Sequence, residues 1–587
     1  MAVYTRPGVY VQETLNPIAP IAGSNASAIA AFVGVSDRGP TTPTLISSWS
    51  QYVSYFGGWN GVYSSTVASN NLAIAVYLFF ANGGSQAYVS RVTGTVTYAT
   101  VTGASATGGV VTYTANNTFA TGQLVSITGL STAAFNLSAV SIATATSTQF
   151  TVSNAATGTA VTGATATATA TTGAPVSASR TFSDRAGSPL PTVTLTAKNA
   201  GSWGNQLNVS ITDSLVTGYV TVAVYLGGSS AGNIVEQWTD VTMKSTDSRY
   251  LVTVINQNSN YITATDLSSS SATPNNNPSL IANQSFTGGT DNNSLTATAL
   301  SANLNGFDTI LNTLILNVPG YTDAATVNAA IAYATGTTRN NDIFVVIDGV
   351  NDTVANQITL ASSYTNSAFA AVYYPQITIS DPTAAVGSPS GATKTVGAGG
   401  AVVGLYAKTD ASRGVFKAPA GLQARLAGAV SVASVSPTDL GLLNSASAPV
   451  NAVRYIPGSG IVVMGARTLN SGYLTKYVPV RRSLTYLEKA LTDLTQFAIF
   501  EPNDFRLWGR LTSECTNFLN GFWQQGGLFG TTPQAAFFVK CDADNNPQTS
   551  IDNGFVNIQV GVSLQRPAEF VIINIGQFNG GTTVTTA

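Results

Sequence analysis

The chain has no histidine, and only 9% of its 587 residues are charged, against roughly 25% in an average soluble protein. Without histidine neither Ser-His-Asp nor Cys-His catalysis can be assembled, and the commonest zinc ligand is missing. Two cysteines, Cys515 and Cys541, make neither a disulfide framework nor a metal cluster in so long a chain, so both read as packing residues. The longest apolar run, Leu72–Ala81, is half a membrane span, and Met1–Tyr10 lacks the apolar core of a signal peptide. A net charge of −2 and a pI near 5.3 give no overall drive toward nucleic acid or anionic membrane. We therefore expect a soluble protein that is not an enzyme, needs no cofactor or metal, and neither binds nucleic acid directly nor inserts in a membrane.

What remains is a chain rich in Gly, Ser, Thr, Ala, Val and Asn, long enough for roughly three to five domains. Ile29–Val35 is a short apolar run of buried-strand type, Ser50–Phe56 and Leu72–Ala81 read as helices stopped by glycines, and a strand follows at Gln86–Val92. The same rhythm resumes at Leu314–Gly320, Ile343–Gly349 and Ala370–Pro375, with helices near Ala324–Thr335 and Val354–Tyr364 between them. Apolar strands separated by helices imply a mostly parallel sheet covered on both faces. The spacing predicts one α/β domain split between 23–92 and 291–385.

Two β-rich segments fill the gap. Residues 93–179 carry no charge at all and alternate Thr, Val, Ala and Ser with glycine punctuation, which predicts an inserted antiparallel sandwich over 93–180. A second sandwich is expected over 181–290. The segment Pro382–Gly400 reads as a linker, and beyond it the charge changes sign: 14 Lys/Arg against 11 Asp/Glu in 401–587, but 10 against 15 before it. Residues 386–566 form a C-terminal α+β domain with two helices. One is striped by Leu484, Leu487, Leu491, Leu494 and Ala498; the other is capped by Asn503 and striped by Trp508, Leu511, Cys515, Phe518 and Phe522. The fold class is thus multidomain α/β and α+β, with extended arms at 1–22 and 567–587.

Four motifs imitate chemistry. Gly228–Gly232 matches a nucleophile elbow but lacks any histidine base. Asp542–Asn546 starts like a calcium loop, yet Pro547 stands where glycine is needed and Asn553 where a bidentate glutamate is expected. Lys417–Gly421 has a lysine without a phosphate-cradling glycine pattern, and Asp348-Gly349 is one carboxylate without a partner.

Motifs in one order from residue 7 to about 575 resemble the tail sheath proteins of contractile-tailed phages. They are Pro7–Glu13, Phe80–Gly84 with Tyr88–Val92, Gly201–Asn205, Val254–Asn256, Val318–Gly320, Tyr373–Pro375, Lys417–Gly421, Gly465–Leu469, the paired helices and Pro567–Phe570. The 93–180 segment departs from the family and is expected to decorate the outer surface. The resemblance implies a virion tail protein assembled in the host cytoplasm as hexameric rings stacked helically around a tail tube, in contact with baseplate and tail terminator proteins. Contraction would drive the tube through a bacterial envelope. It further implies that both arms add strands to neighbouring subunits, through Val9, Tyr10 and Val11 at one end and Phe570, Val571, Ile572 and Ile573 at the other. Independently, Lys476, Arg481, Arg482 and Lys489 cluster where cations oppose a helix dipole, which we read as a basic, tube-facing helix. An alternative reading, motivated by the uncharged insertion, is a surface-exposed adhesive β-sandwich protein.

Overall fold

The computed structural model describes residues 28–570 and 572, apart from 60–69, 94–96, 118, 120–123, 155–157, 172–174, 291–294, 340, 385–391 and 473. Val9, Tyr10, Val11, Val571 and Ile573 lie outside the described residues.

The chain enters through β1 (Ile29–Gly34) and β2 (Thr44–Ile46), then α1 (Trp49–Phe56), α2 (Asn71–Ala81) and β3 (Ala87–Arg91). The Ser48 side chain caps α1 by accepting from the Gln51 N–H, and Gly57 ends it at φ 94, a conformation glycine adopts without a Cβ penalty. Asn82 ends α2, and its side-chain amide bonds Ala427 in both directions, tying the helix end to a segment far along the chain.

Seven strands follow: β4 (Thr97–Thr100), β5 (Gly103–Thr107), β6 (Val110–Thr114), β7 (Leu124–Leu130), β8 (Leu137–Ala145), β9 (Gln149–Ser153) and β10 (Gly158–Thr171). The expected sandwich is instead one sheet closed on itself. The long β10 pairs with β5 through Gly158–Val161 and with β7 and β4 through its second half, the register shifting between Thr162 and Thr167. That shift lets one strand serve two neighbourhoods. Tyr113 and Phe150 stack at 5.0 Å inside, surrounded by Val111, Ile127, Phe135 and Val152.

The next unit has two antiparallel sheets facing one core. Strands β11 (Ser179–Ser183), β12 (Pro191–Ala197) and β16 (Ile262–Asp266) oppose β13 (Leu207–Asp213), β14 (Val220–Leu226), β15 (Ile234–Val241) and β17 (Ile281–Ser285), with α3 (Leu251–Asn258) packed against them. Arg38 from the turn after β1 lies over Trp203 and Tyr261 of this unit, at 5.3 and 4.4 Å from their ring centres.

The chain then returns through α4 (Ala297–Leu304), β18 (Leu314–Asn317), α5 (Ala324–Ala334), β19 (Ile343–Asp348), α6 (Val354–Ser362) and β20 (Ala370–Tyr374). β21 (Ile377–Ser380), β22 (Thr393–Val396) and β23 (Ala429–Val432) form a small sheet, with α7 (Gly399–Arg413) between β22 and β23 in the chain. After α8 (Pro437–Ser445) come β24 (Val450–Ile456) and β25 (Gly460–Val463). The main sheet has eight strands in the order β2-β3-β1-β18-β19-β20-β24-β25, parallel throughout except for the antiparallel edge strands β2 and β25. Helices α1, α2 and α7 cover one face, while α4, α5, α6 and α8 cover the other. The sequence boundary at 385/386 therefore cuts through this sheet, because β24 pairs in parallel with β20.

Residues 382–400 are likewise more than a linker. They supply β22 and the start of α7, whose Gly400 and Gly404 let it lie directly on α2. A Cβ at Gly400 would stand 2.4 Å from the Ala75 Cα, and one at Gly404 2.5 Å from the Phe79 carbonyl oxygen.

The last part holds α9 (Val478–Leu494), α10 (Phe505–Gln524), the short α11 (Pro533–Ala536) and α12 (Gln548–Asp552), and the two-stranded sheet β26 (Phe537–Lys540) and β27 (Gln559–Val562). Asp504 caps α10, accepting from the Arg506 and Leu507 N–H groups. The expected cap, Asn503, instead accepts from Trp508 and donates to the Phe555 carbonyl.

Candidate assembly site

Helix α9 places two arginines of the expected basic face inside the subunit. Arg481 and Arg482 are 0% and 4% exposed. Arg481 pairs with Glu488 at 2.7 Å and lies over the Phe369 ring, and Arg482 grips both carboxylate oxygens of Asp410 on α7 and lies over Tyr406. A guanidinium so enclosed is unavailable to a tube, so the tube-facing role read from Arg481 and Arg482 is overturned. Lys489 pairs with Asp493 on its own helix at 3.5 Å, and Lys476 lies over the Tyr477 ring. The four residues do not form one exposed patch.

The decoy motifs resolve as structure. Asp348 is buried at the end of β19 and accepts from the Gly320 and Gly399 N–H groups at 2.8 and 2.6 Å, so it caps α7. Burial pushes its carboxyl up, against the pull of those two N–H groups. A Cβ at Gly397 would stand 2.2 Å from its carboxyl carbon, so the space beside it is filled. In the 542–546 turn the Lys540 ammonium lies 2.6 Å from Asp544 and 3.8 Å from Asp542, where a cation would have to sit. Lys417 donates to the carbonyls of Ala418 and Ala420. Among the described residues no group of three His, Cys, Asp or Glu could hold a metal, and no helix is long and apolar enough to cross a membrane.

A different site emerges at the end of the chain. Strands β26 and β27 pair from Phe537↔Val562 to Lys540↔Gln559, and among the described residues no third strand joins them. The inner side of this hairpin-like sheet packs on α10 through Val560 and Phe537, while Phe538 and Phe529 remain exposed. Beyond β27 the chain runs to Glu569, whose carboxylate receives the Arg467 guanidinium at 2.6 and 2.5 Å and the Tyr477 hydroxyl at 3.1 Å. Burial would raise the Glu569 carboxyl, but Arg467 and Tyr477 together hold it below its ordinary value. Arg467 is itself fixed, since its backbone N–H and carbonyl both bond the Asn451 amide and its Nη1 donates to Asn444. Immediately past this anchor Phe570 and Ile572 are 73% and 83% exposed.

Sequence patterning marked Phe570 and Ile572 as strand-forming but gave no sign of the anchor. Arg467 and Glu569 each lie within a motif singled out earlier, Gly465–Leu469 and Pro567–Phe570, and the pairing of those motifs was the available signal.

Comparison with known proteins places these features. Residues 471–578 match the family described as the phage tail sheath C-terminal domain. A tail sheath protein of Vibrio phage KVP40 is 28% identical over 126 residues, which is 21% of this chain and 18% of that protein, so the match spans under a fifth of the relative's length. Among solved structures, the helical sheath of the anti-feeding prophage in its contracted state is similar with a TM-score of 0.50 and 20% identity, covering 98% of this chain and all of that one. A sheath tail protein from Listeria innocua gives 0.51 and 12% identity over 89% and 90%. At these identities the structures speak to the fold alone, and the sequence match is carried by residues 471–578: that part of the chain is similar to the C-terminal domain of phage tail sheath proteins, and the fold of the chain is similar to that of sheath proteins of contractile injection systems.

Proposed function

We propose that this chain is the structural subunit of a contractile sheath, stacked as hexameric rings around a tail tube and held together by strands exchanged between subunits. It works as a polymer and not as a catalyst. Contraction of the polymer drives the tube through a bacterial envelope, with baseplate and tail terminator proteins at its ends. The virion tail is then its location, and other copies of itself and the tube protein are its main partners.

The observations that carry this reading are the two-stranded sheet of β26 and β27, which no third strand joins among the described residues, and the exposure of Phe570 and Ile572 just past the Glu569 anchor. An open sheet edge presents unpaired N–H and C=O groups, and an extended segment from another copy satisfies them. At about 0.5–1.5 kcal/mol net per hydrogen bond, a donated strand making roughly four to six bonds contributes several kcal/mol per junction. Such head-to-tail contacts build rings and open helices instead of closed dimers.

The test is truncation. Removal of residues 1–20 or of 570–587 is expected to leave a folded subunit by circular dichroism that no longer polymerises in sedimentation. Tubes of normal length from either truncated protein would refute strand exchange.

A further inference from the structure

Where the C-terminal helices meet the main sheet lies a cavity of about 180 Å3, walled by Asp342, Asp410, Arg482, Thr485, Tyr486 and Gln525 among others. Its walls thus come from the starts of the sheet strands, the end of α7, the first half of α9 and the end of α10. Ala28, where the chain enters β1, is also in the wall. Beside the cavity Thr485 of α9 reaches the Asn341 carbonyl with one long hydrogen bond of 3.5 Å.

The two carboxylates in the wall are matched differently. Asp410 is gripped on both oxygens by Arg482. Among the described residues the Asp342 side chain receives one bond, at 3.0 Å, from the Nε of Arg339, a guanidinium whose other nitrogens already serve the carbonyls of Phe307, Ile310 and Asn312. The other charges around it are engaged as well. On α9 Lys489 pairs with Asp493 and Arg481 with Glu488, and Asp308 accepts from the Tyr333 hydroxyl. A carboxylate matched so thinly beside a small void draws water into that void when ionised.

We propose that this cavity is an acid-tightened joint between the main sheet and α9: ionised Asp342 keeps the seam hydrated and prone to open, whereas protonated Asp342 lets the water leave and the helix close on the sheet. Burial pushes the Asp342 carboxyl up to about 6, despite the opposing pull of Arg339 and Lys489. The closed seam therefore binds the proton more tightly than an opened one, in which the carboxyl returns toward its ordinary 3.8. Stability of the seam rises as pH falls from about 6 toward about 4, and is flat at its lower level above that window. Between neutral pH and about pH 5 the opening equilibrium changes by about tenfold.

The joint is independent of strand exchange, and it is tested on the full-length subunit by hydrogen exchange of residues 478–494 and 343–348. After correction for intrinsic exchange, opening at about pH 5 is expected to be about tenfold rarer than at about pH 7.5. Asp342→Asn should hold the seam at the tight level at both values, and Asp308→Asn should keep the wild-type response. Lys489→Met, which removes an opposing cation, should move the transition to higher pH, and it serves if Asp342→Asn does not fold. Equal wild-type protection at both pH values overturns the joint, as does an Asp342→Asn protein with an unchanged response.

Discussion

Glu569 is held by Arg467 and Tyr477 immediately before the exposed Phe570, so on the strand-exchange proposal its ion pair marks where a donated segment would start. Because the carboxyl is held low, the contact is present above the ordinary glutamate range and is lost as pH falls through that range and below it. Glu569→Gln keeps the shape but removes the charge from a partly exposed site. Amides of residues 564–570 should then exchange roughly tenfold faster, equivalent to about 1.4 kcal/mol for a charge-assisted contact, with little change in the global melting temperature. Unchanged exchange would place the anchor elsewhere. The arginine pair on α9 shows what was hidden at this scale. Four cations near a helix start are visible in the sequence, but the partner of Arg482 lies 72 residues earlier, on a helix the sequence did not reveal. A charge cluster specifies how many partners are needed and says nothing about whether they are inside or outside the subunit.

At the scale of elements, α9 and α10 were legible because each has one apolar stripe; that of α10 spans two adjoining cores, Leu507, Trp508 and Leu511 packing with Cys541, and Cys515, Leu519 and Phe522 packing with α9. Helix α7 was not. Its first eight residues, Gly399–Tyr406, are all buried, so no polar face sets a period, and its paired glycines resemble a loop. Those glycines are there for close approach to α2. Gly404→Val must push backbone apart at the Phe79 carbonyl, which a side-chain rotation cannot relieve. Overpacking of this kind costs about 1–3 kcal/mol or more, so the variant should lower the midpoint of urea unfolding while leaving the insertion's own fold intact. An unchanged midpoint would mean that the helices are not in direct contact. Strands β24 and β25 were also seen as strands, but their membership of the main sheet depends on β20, more than seventy residues away, and no local pattern encodes that.

Across the whole molecule the alternation of apolar strands and helices gave away the parallel sheet, since a strand buried on both faces is a continuous apolar run wherever it occurs in the chain. Closure of the insertion did not show, because a closed and an open antiparallel sheet share one alternation of residues. The insertion has its own core, and its entry and exit are neighbours, Thr97 pairing with Ala170. Replacing residues 93–180 by a short Gly/Ser linker should therefore leave the remaining units folded and able to assemble, as judged by electron microscopy. Failure to assemble with the rest folded would show that the insertion belongs to the lattice. The paired ends have a practical corollary. A strand spacing of about 5 Å separates Thr97 from Ala170, so a graft joined at these two residues whose termini lie side by side closes with little entropic cost. The same attachment could carry an enzyme, an epitope or a fluorescent reporter, one cargo per chain.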